Sequence, residues 1–132
     1  MIKKIDHIGI AVRDLDKQVE FYRDVMGIPF HGYEDLPDRG LRVAIFVIDR
    51  VKIELLQSVS AGSAIEKFIE AKGEGIHHIA FCTDDASEEL NRLKAAGVTL
   101  IDETPKPGAH GMRVAFLHPK STFKVLMELC QA

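Results

Sequence analysis

Ile5-Asp6-His7-Ile8, near the start of the chain, returns from position 7 to position 78, an offset of 71, as Ile76-His77-His78-Ile79. At the same offset Asp14 returns as Asp85, and Gly40-Leu41-Arg42-Val43-Ala44 returns as Gly111-Met112-Arg113-Val114-Ala115. Ile53-Glu54-Leu55 returns three residues later still, as Met127-Glu128-Leu129. Matches in the same order at nearly one offset are the mark of a duplicated module.

Each module reads the same way. Residues 5–12 and 76–82 have the composition of strands. Asp14 is placed to cap a helix whose apolar positions Leu15, Val19, Tyr22, Val25 and Met26 follow helical spacing, with Gly27 as its stop. Asp85 is placed to cap a second helix using Ala86, Leu90, Leu93 and Ala96, stopped by Gly97. Three strands are expected after each helix: 28–35, 41–48 and 51–57, then 98–103, 112–118 and 124–130. Pro37, Gly40 and the stretch from Pro105 to Gly111 supply turns. The predicted fold is α+β: two tandem βαβββ modules, about 1–60 and 74–132, forming a curved mixed sheet around a cleft within one domain.

Strand parity places the polar residues. Ile8, Ile10 and Val12 share one face, while His7, Gly9 and Ala11 share the other. Ile79 and Phe81 likewise oppose His78, Ala80 and Cys82. Glu54 and Glu128 each stand on the face opposite their bulky neighbours Ile53 and Leu55, or Met127 and Leu129. The histidines have small companions, which leaves room for a cleft.

The bulk composition limits the alternatives. The 132 residues are 46% hydrophobic and 28% charged, the balance of an ordinary globular domain. No apolar run approaches the roughly 18 residues that span a bilayer, and the first residues lead straight into a strand pattern without a signal-peptide core. A net charge of −3 with scattered basic residues gives no footprint for nucleic acid. Cys82 and Cys130 do not make a disulfide framework and read as small space-filling thiols. The cytoplasm is the expected compartment, with neither membrane nor nucleic acid as partner.

Two imidazoles and two carboxylates thus occupy equivalent places in two modules. A lone histidine in a strand is more often structural than a ligand, but recurrence of both residue types at matched positions favours a shared site. Nitrogen and oxygen donors suit borderline first-row divalent metals. An ionised carboxylate among Leu and Val needs a cation or must protonate, and one metal would serve both.

With these residues in place, the sequence resembles the vicinal oxygen chelate superfamily over essentially its whole length. Within that group it looks most like the methylmalonyl-CoA epimerases. The closer match lies in Ile5-Asp6-His7-Ile8-Gly9-Ile10-Ala11-Val12, Gly73-Glu74-Gly75-Ile76-His77-His78-Ile79-Ala80-Phe81, Val114-Ala115-Phe116-Leu117-His118-Pro119-Lys120-Ser121 and Val125-Leu126-Met127-Glu128-Leu129. The resemblance implies one divalent ion (cobalt, manganese, nickel or zinc) bound at His7, Glu54, His78 and Glu128. It also implies an acyl-CoA thioester substrate and a homodimer. His78 rather than His77 is the aligned ligand, and His77 then points to a helix face or a turn.

The implied chemistry removes the proton between a thioester carbonyl and a carboxylate and returns it on the other face. Glu128 is the candidate for one proton transfer. Similar epimerases can carry a glutamate where this chain has Val43, and valine cannot transfer a proton; Glu54, the counterpart of Glu128, is then the candidate for the second. His118, Lys120 and His110 are candidates for substrate binding, the first two for the substrate carboxylate or a CoA phosphate, and Gly108-Ala109-His110-Gly111 is a candidate lid. The alternatives are a lactoylglutathione lyase, which shares the ligand set, and a metal-free antibiotic-binding protein of the same fold, which needs no such quartet.

Overall fold

The computed structural model describes all of residues 1–132 and is α+β, with two βαβββ modules. The first consists of β1 (Ile2–Ala11), α1 (Leu15–Glu20), β2 (Phe30–Leu36), β3 (Leu41–Ile48) and β4 (Val51–Ser58). The second consists of β5 (Gly75–Thr83), α3 (Ala86–Ala95), β6 (Lys106–Pro107), β7 (Arg113–Leu117) and β8 (Met127–Gln131), with α2 (Ala64–Lys72) between the modules. The chain divides into two compact units, one of His7–His77 and one of Met1–Asp6 with His78–Ala132, so that β1 begins in one and ends in the other. No helix is long and apolar enough to cross a membrane.

In the unit His7–His77 the strands are ordered β2-β3-β4-β1. β2, β3 and β4 are antiparallel neighbours, and β1 is parallel to β4. One face packs Ala44, Phe46 and Leu55 against Leu15 and Val19 of α1. The other packs Ala11, Val43, Ile45 and Leu56 against Ile65 and Ile69 of α2. The second unit repeats the plan in the order β5-β8-β7-β6, with Ala115, Leu117 and Leu129 packed on Leu90 of α3.

Three parts of the chain depart from the sequence reading. α2 is a helix the repeat pattern does not call for, because it has no counterpart in the second module. Its signals are local: Ser63 accepts the N–H of Glu66 at 3.1 Å, while Glu66 Oε1 accepts the N–H of Gly62 at 3.1 Å. Ile65, Phe68 and Ile69 then share one face. The expected strand at 98–103 is not formed. Leu100 makes an isolated bridge to Leu117, with the His118 N–H donating to Thr99 O at 2.9 Å and the Ile101 N–H to Phe116 O at 3.0 Å, but Asp102 Oδ2 takes the N–H of Phe116 at 2.8 Å, so a side chain ends the pairing there. The paired strand is the short β6.

The third departure is in the first helix. After Glu20 it widens into a π turn, Phe21–Val25, with Met26 N–H donating to Phe21 O at 2.9 Å. The wider turn rotates later residues off the buried stripe. Val25 and Met26, expected inside, are exposed.

His77 closes the first unit with its ring 4.9 Å from that of Phe68, nearly perpendicular, so it faces a helix as expected. Burial, and then the charge of Lys72, lower its pKa from 6.5 to about 4. Between about 6.5 and 4 the unfolded chain therefore takes up a proton that folded His77 refuses. Stability is present above that window and lost as pH falls through it. His77→Phe is expected to remove about 1–3 kcal/mol of this acid sensitivity. Melting temperatures from pH 7 to 4 for the two proteins check this; parallel curves would contradict it.

Candidate active site

Each unit holds one histidine–glutamate pair on a parallel strand pair. In β1 and β4, Gly9 stands opposite Glu54, which puts His7 next along the same face. His7 Nδ1 lies 3.5 Å from Glu54 Oε2. In β5 and β8, Ala80 stands opposite Glu128, and His78 Nε2 lies 4.0 Å from Glu128 Oε2. Gly9 and Ala80 are themselves 71 apart, so the register is the same in both units. The small residue opposite each carboxylate leaves space for the imidazole beside it.

Two further repeats fix these pairs. The N–H of Leu15, first residue of α1, donates to Gln57 Oε1 at 2.7 Å, and the N–H of Ala86, first residue of α3, donates to Gln131 Oε1 at 2.8 Å. Each glutamine lies three residues beyond its glutamate, so it ties the end of the glutamate strand to the helix that follows the histidine strand. The sequence reading missed this pair, although Glu54-x-x-Gln57 and Glu128-x-x-Gln131 are legible as a repeat. The second fixture is apolar: Ile45 opposes Glu54 and Phe116 opposes Glu128, again 71 apart. The Phe116 ring meets His78 edge to face at 5.4 Å.

The four side chains are 5% exposed or less. At that depth a carboxylate that stays ionised needs a cation or several donors. Separations of 3.5 and 4.0 Å exceed the usual N–H···O length of about 2.7–3.2 Å. Donors bonded at about 2.0–2.2 Å to one ion stand about 3–4 Å apart. The donor chemistry and the spacing within each pair therefore fit a divalent metal.

The other expected residues are spread out. His118 and Lys120 follow β7, two and four residues beyond Phe116, and both are exposed. The Lys120 N–H donates to His118 Nδ1 at 3.1 Å, which leaves Nε2 facing outward. His110 precedes β7 with φ 59°, in the left-handed region, so it stands at the opposite end of that strand from His118. Cys130 is fully buried with Ala80 and Val114, and neither it nor Cys82 forms a disulfide. Val43 is fully buried among Ile45, Leu56 and Ile65; this part of the predicted cleft face is apolar core beneath α2.

The glyoxalase/bleomycin resistance protein/dioxygenase superfamily model matches residues 6–116, most of the chain. The chain belongs to that superfamily. The match includes His7, Glu54 and His78, and Glu128 lies beyond its end. The crystal structure of a hypothetical protein of Bacillus halodurans is similar, with 45% identity, a TM-score of 0.96, and 98% of this chain and 94% of that chain covered. The ethylmalonyl-CoA/methylmalonyl-CoA epimerase of Cereibacter sphaeroides is 40% identical over 99% of both chains. A methylmalonyl-CoA epimerase solved with methylmalonyl-CoA and NH4+ is 37% identical, has a TM-score of 0.96, and aligns over 100% of this chain and 96% of its own.

Proposed function

We propose that this chain is a divalent-metal-dependent epimerase interconverting (2R)- and (2S)-methylmalonyl-CoA. The observation that carries the reading is the buried His7–Glu54 pair and its repeat, His78–Glu128, in a chain about 40% identical to an epimerase of that substrate. On this reading His7, Glu54, His78 and Glu128 hold one ion. When bound, the ion supplies Lewis-acid stabilisation of the negative charge that develops as C2 loses its proton.

The protein's own groups do the rest. Glu128 takes or returns the C2 proton, and its near-complete burial keeps bulk water from competing for it. Ile45 and Phe116 wall the two carboxylates and hold them in register. The His118 imidazole and the Lys120 ammonium, exposed beyond β7, supply donors and positive charge for the substrate carboxylate or the CoA phosphates. His110 lies too far along β7 to share one small group with them and serves a different part of the long CoA chain. The enzyme acts as a homodimer in the cytoplasm.

The test is deuterium uptake at C2 of methylmalonyl-CoA in heavy water, with and without Co(II). The expected result is uptake and inversion that need the metal. Isomerisation of the methylglyoxal–glutathione hemithioacetal in place of C2 exchange would point to a lactoylglutathione lyase instead.

A further inference from the structure

The far end of a CoA thioester is a nucleotide, with one flat π-face and several phosphate charges. The loop between β7 and β8 has the chemistry to meet it. His118-Pro119-Lys120-Ser121-Thr122-Phe123-Lys124-Val125-Leu126 contains two lysines and no carboxylate, in a chain whose net charge is −3. Lys120, Phe123 and Lys124 are all exposed.

Phe123 stands apart from the other surface rings. It is 95% exposed, against 50% for Phe21 and 40% for Tyr33. Phe21 still meets Tyr22 edge to face at 5.7 Å, and the Arg42 guanidinium lies 4.1 Å over the Tyr33 ring. The backbone does not favour an aromatic side chain either, since φ is 56° at Phe123 and 74° at Lys124. Glycine or asparagine would fit both places better, and strain of this kind gathers at ligand clamps.

The turn holds its shape without the ring. The Ser121 N–H donates to His118 O at 3.0 Å, and the Thr122 and Lys124 N–H groups donate to Pro119 O at 3.2 and 2.9 Å. Ser121 Oγ takes the Thr99 N–H at 2.8 Å, which pins the loop to the body of the unit. Neither the core nor the turn therefore accounts for a phenylalanine at 123.

We infer that the Phe123 ring is the platform on which the adenine of the acyl-CoA stacks, with the Lys120 and Lys124 ammonium groups beside its phosphates. The inference rests on the epimerase reading and deepens it by assigning the nucleotide end of the substrate. A base offers its π-face to an exposed aromatic ring, and the flanking cations meet the phosphate charge. Lys120 and Lys124 share one closed turn with Phe123, so ring and charges are grouped on the scale of a nucleotide. Chain length alone puts Phe123 within about 18 Å of Glu128, five residues on in the same unit. An extended pantetheine arm covers a distance of that order.

Phe123→Gly, loaded with Co(II), tests this with two substrates: methylmalonyl-CoA and the methylmalonyl thioester of pantetheine, which lacks the nucleotide. Glycine suits the positive φ, so the turn is retained, and a melting curve checks the fold. Wild type is expected to prefer the CoA thioester in kcat/KM. In Phe123→Gly the KM for methylmalonyl-CoA is expected to rise at least about 5-fold and most of that preference to vanish. Phe123→Tyr, which keeps a ring, restores it, and Lys124→Gln lowers it at low salt. Full preference in Phe123→Gly or Lys124→Gln would overturn the assignment. So would an equal fall for both thioesters, which marks a structural role. A wild-type protein that neither exchanges the C2 hydrogen nor inverts either thioester would overturn the epimerase reading, and this inference with it.

Discussion

Glu128→Gln is expected to lower C2 exchange and inversion of methylmalonyl-CoA by about 1,000-fold or more, for both epimers, while the protein still folds. Glutamine has the shape of glutamate, so it fills the same place on β8 between Ala80 of β5 and Phe116 of β7. Its amide is neither a base nor an acid at neutral pH, and it is a weaker donor to a cation. General acid–base catalysis contributes about 100- to 10,000-fold, and here a ligand is weakened as well. The measurement is a heavy-water exchange assay on each epimer, with a melting curve to show that the variant is folded. Exchange within a few-fold of wild type would remove Glu128 from the chemistry.

Co(II) is expected to raise the melting temperature by about 10 °C. An ion that binds only the folded chain contributes about 2.7 kcal/mol at 100 times its dissociation constant. For a chain of this size each kcal/mol is a shift of about 4 °C. The physical reason is the burial of Glu54 and Glu128: without a cation, two carboxylates are held away from water beside apolar Ile45 and Phe116. His78→Ala is expected to abolish the shift, since it leaves Glu128 without its neighbouring nitrogen donor. A Co(II)-induced shift that survives in His78→Ala would show that the ion binds elsewhere.

The duplication was legible because its most constrained residues survive in both halves. His7 and His78, Glu54 and Glu128, and Asp14 and Asp85 all recur, and both aspartates do cap helices, accepting the N–H of Lys17 and Glu88 at 3.2 and 3.0 Å. Strand parity also places His7 and Glu54 on one face, as the register confirms. What escaped the sequence reading has no repeat or no simple period. α2 belongs to one half only, so the second half offers no template for it. The π turn after Glu20 breaks the 3.6-residue period that made Val25 and Met26 look buried. Asp102 interrupts an apolar run that reads as a strand, by supplying an acceptor from its side chain.

The depth of Val43 was hidden for the first of these reasons. Parity alone puts it on the face with Glu54, but whether that face is open depends on α2, whose Ile65 and Ile69 cover it.

The central claim is that two histidine–glutamate pairs, one from each half, serve a single ion, and metal analysis tests it directly. Wild-type protein dialysed against Co(II) is predicted to bind one ion per chain. His7→Ala, Glu54→Ala, His78→Ala and Glu128→Ala are each predicted to weaken that same binding strongly. Two ions per chain, or full binding after loss of either residue from one half, would contradict the account.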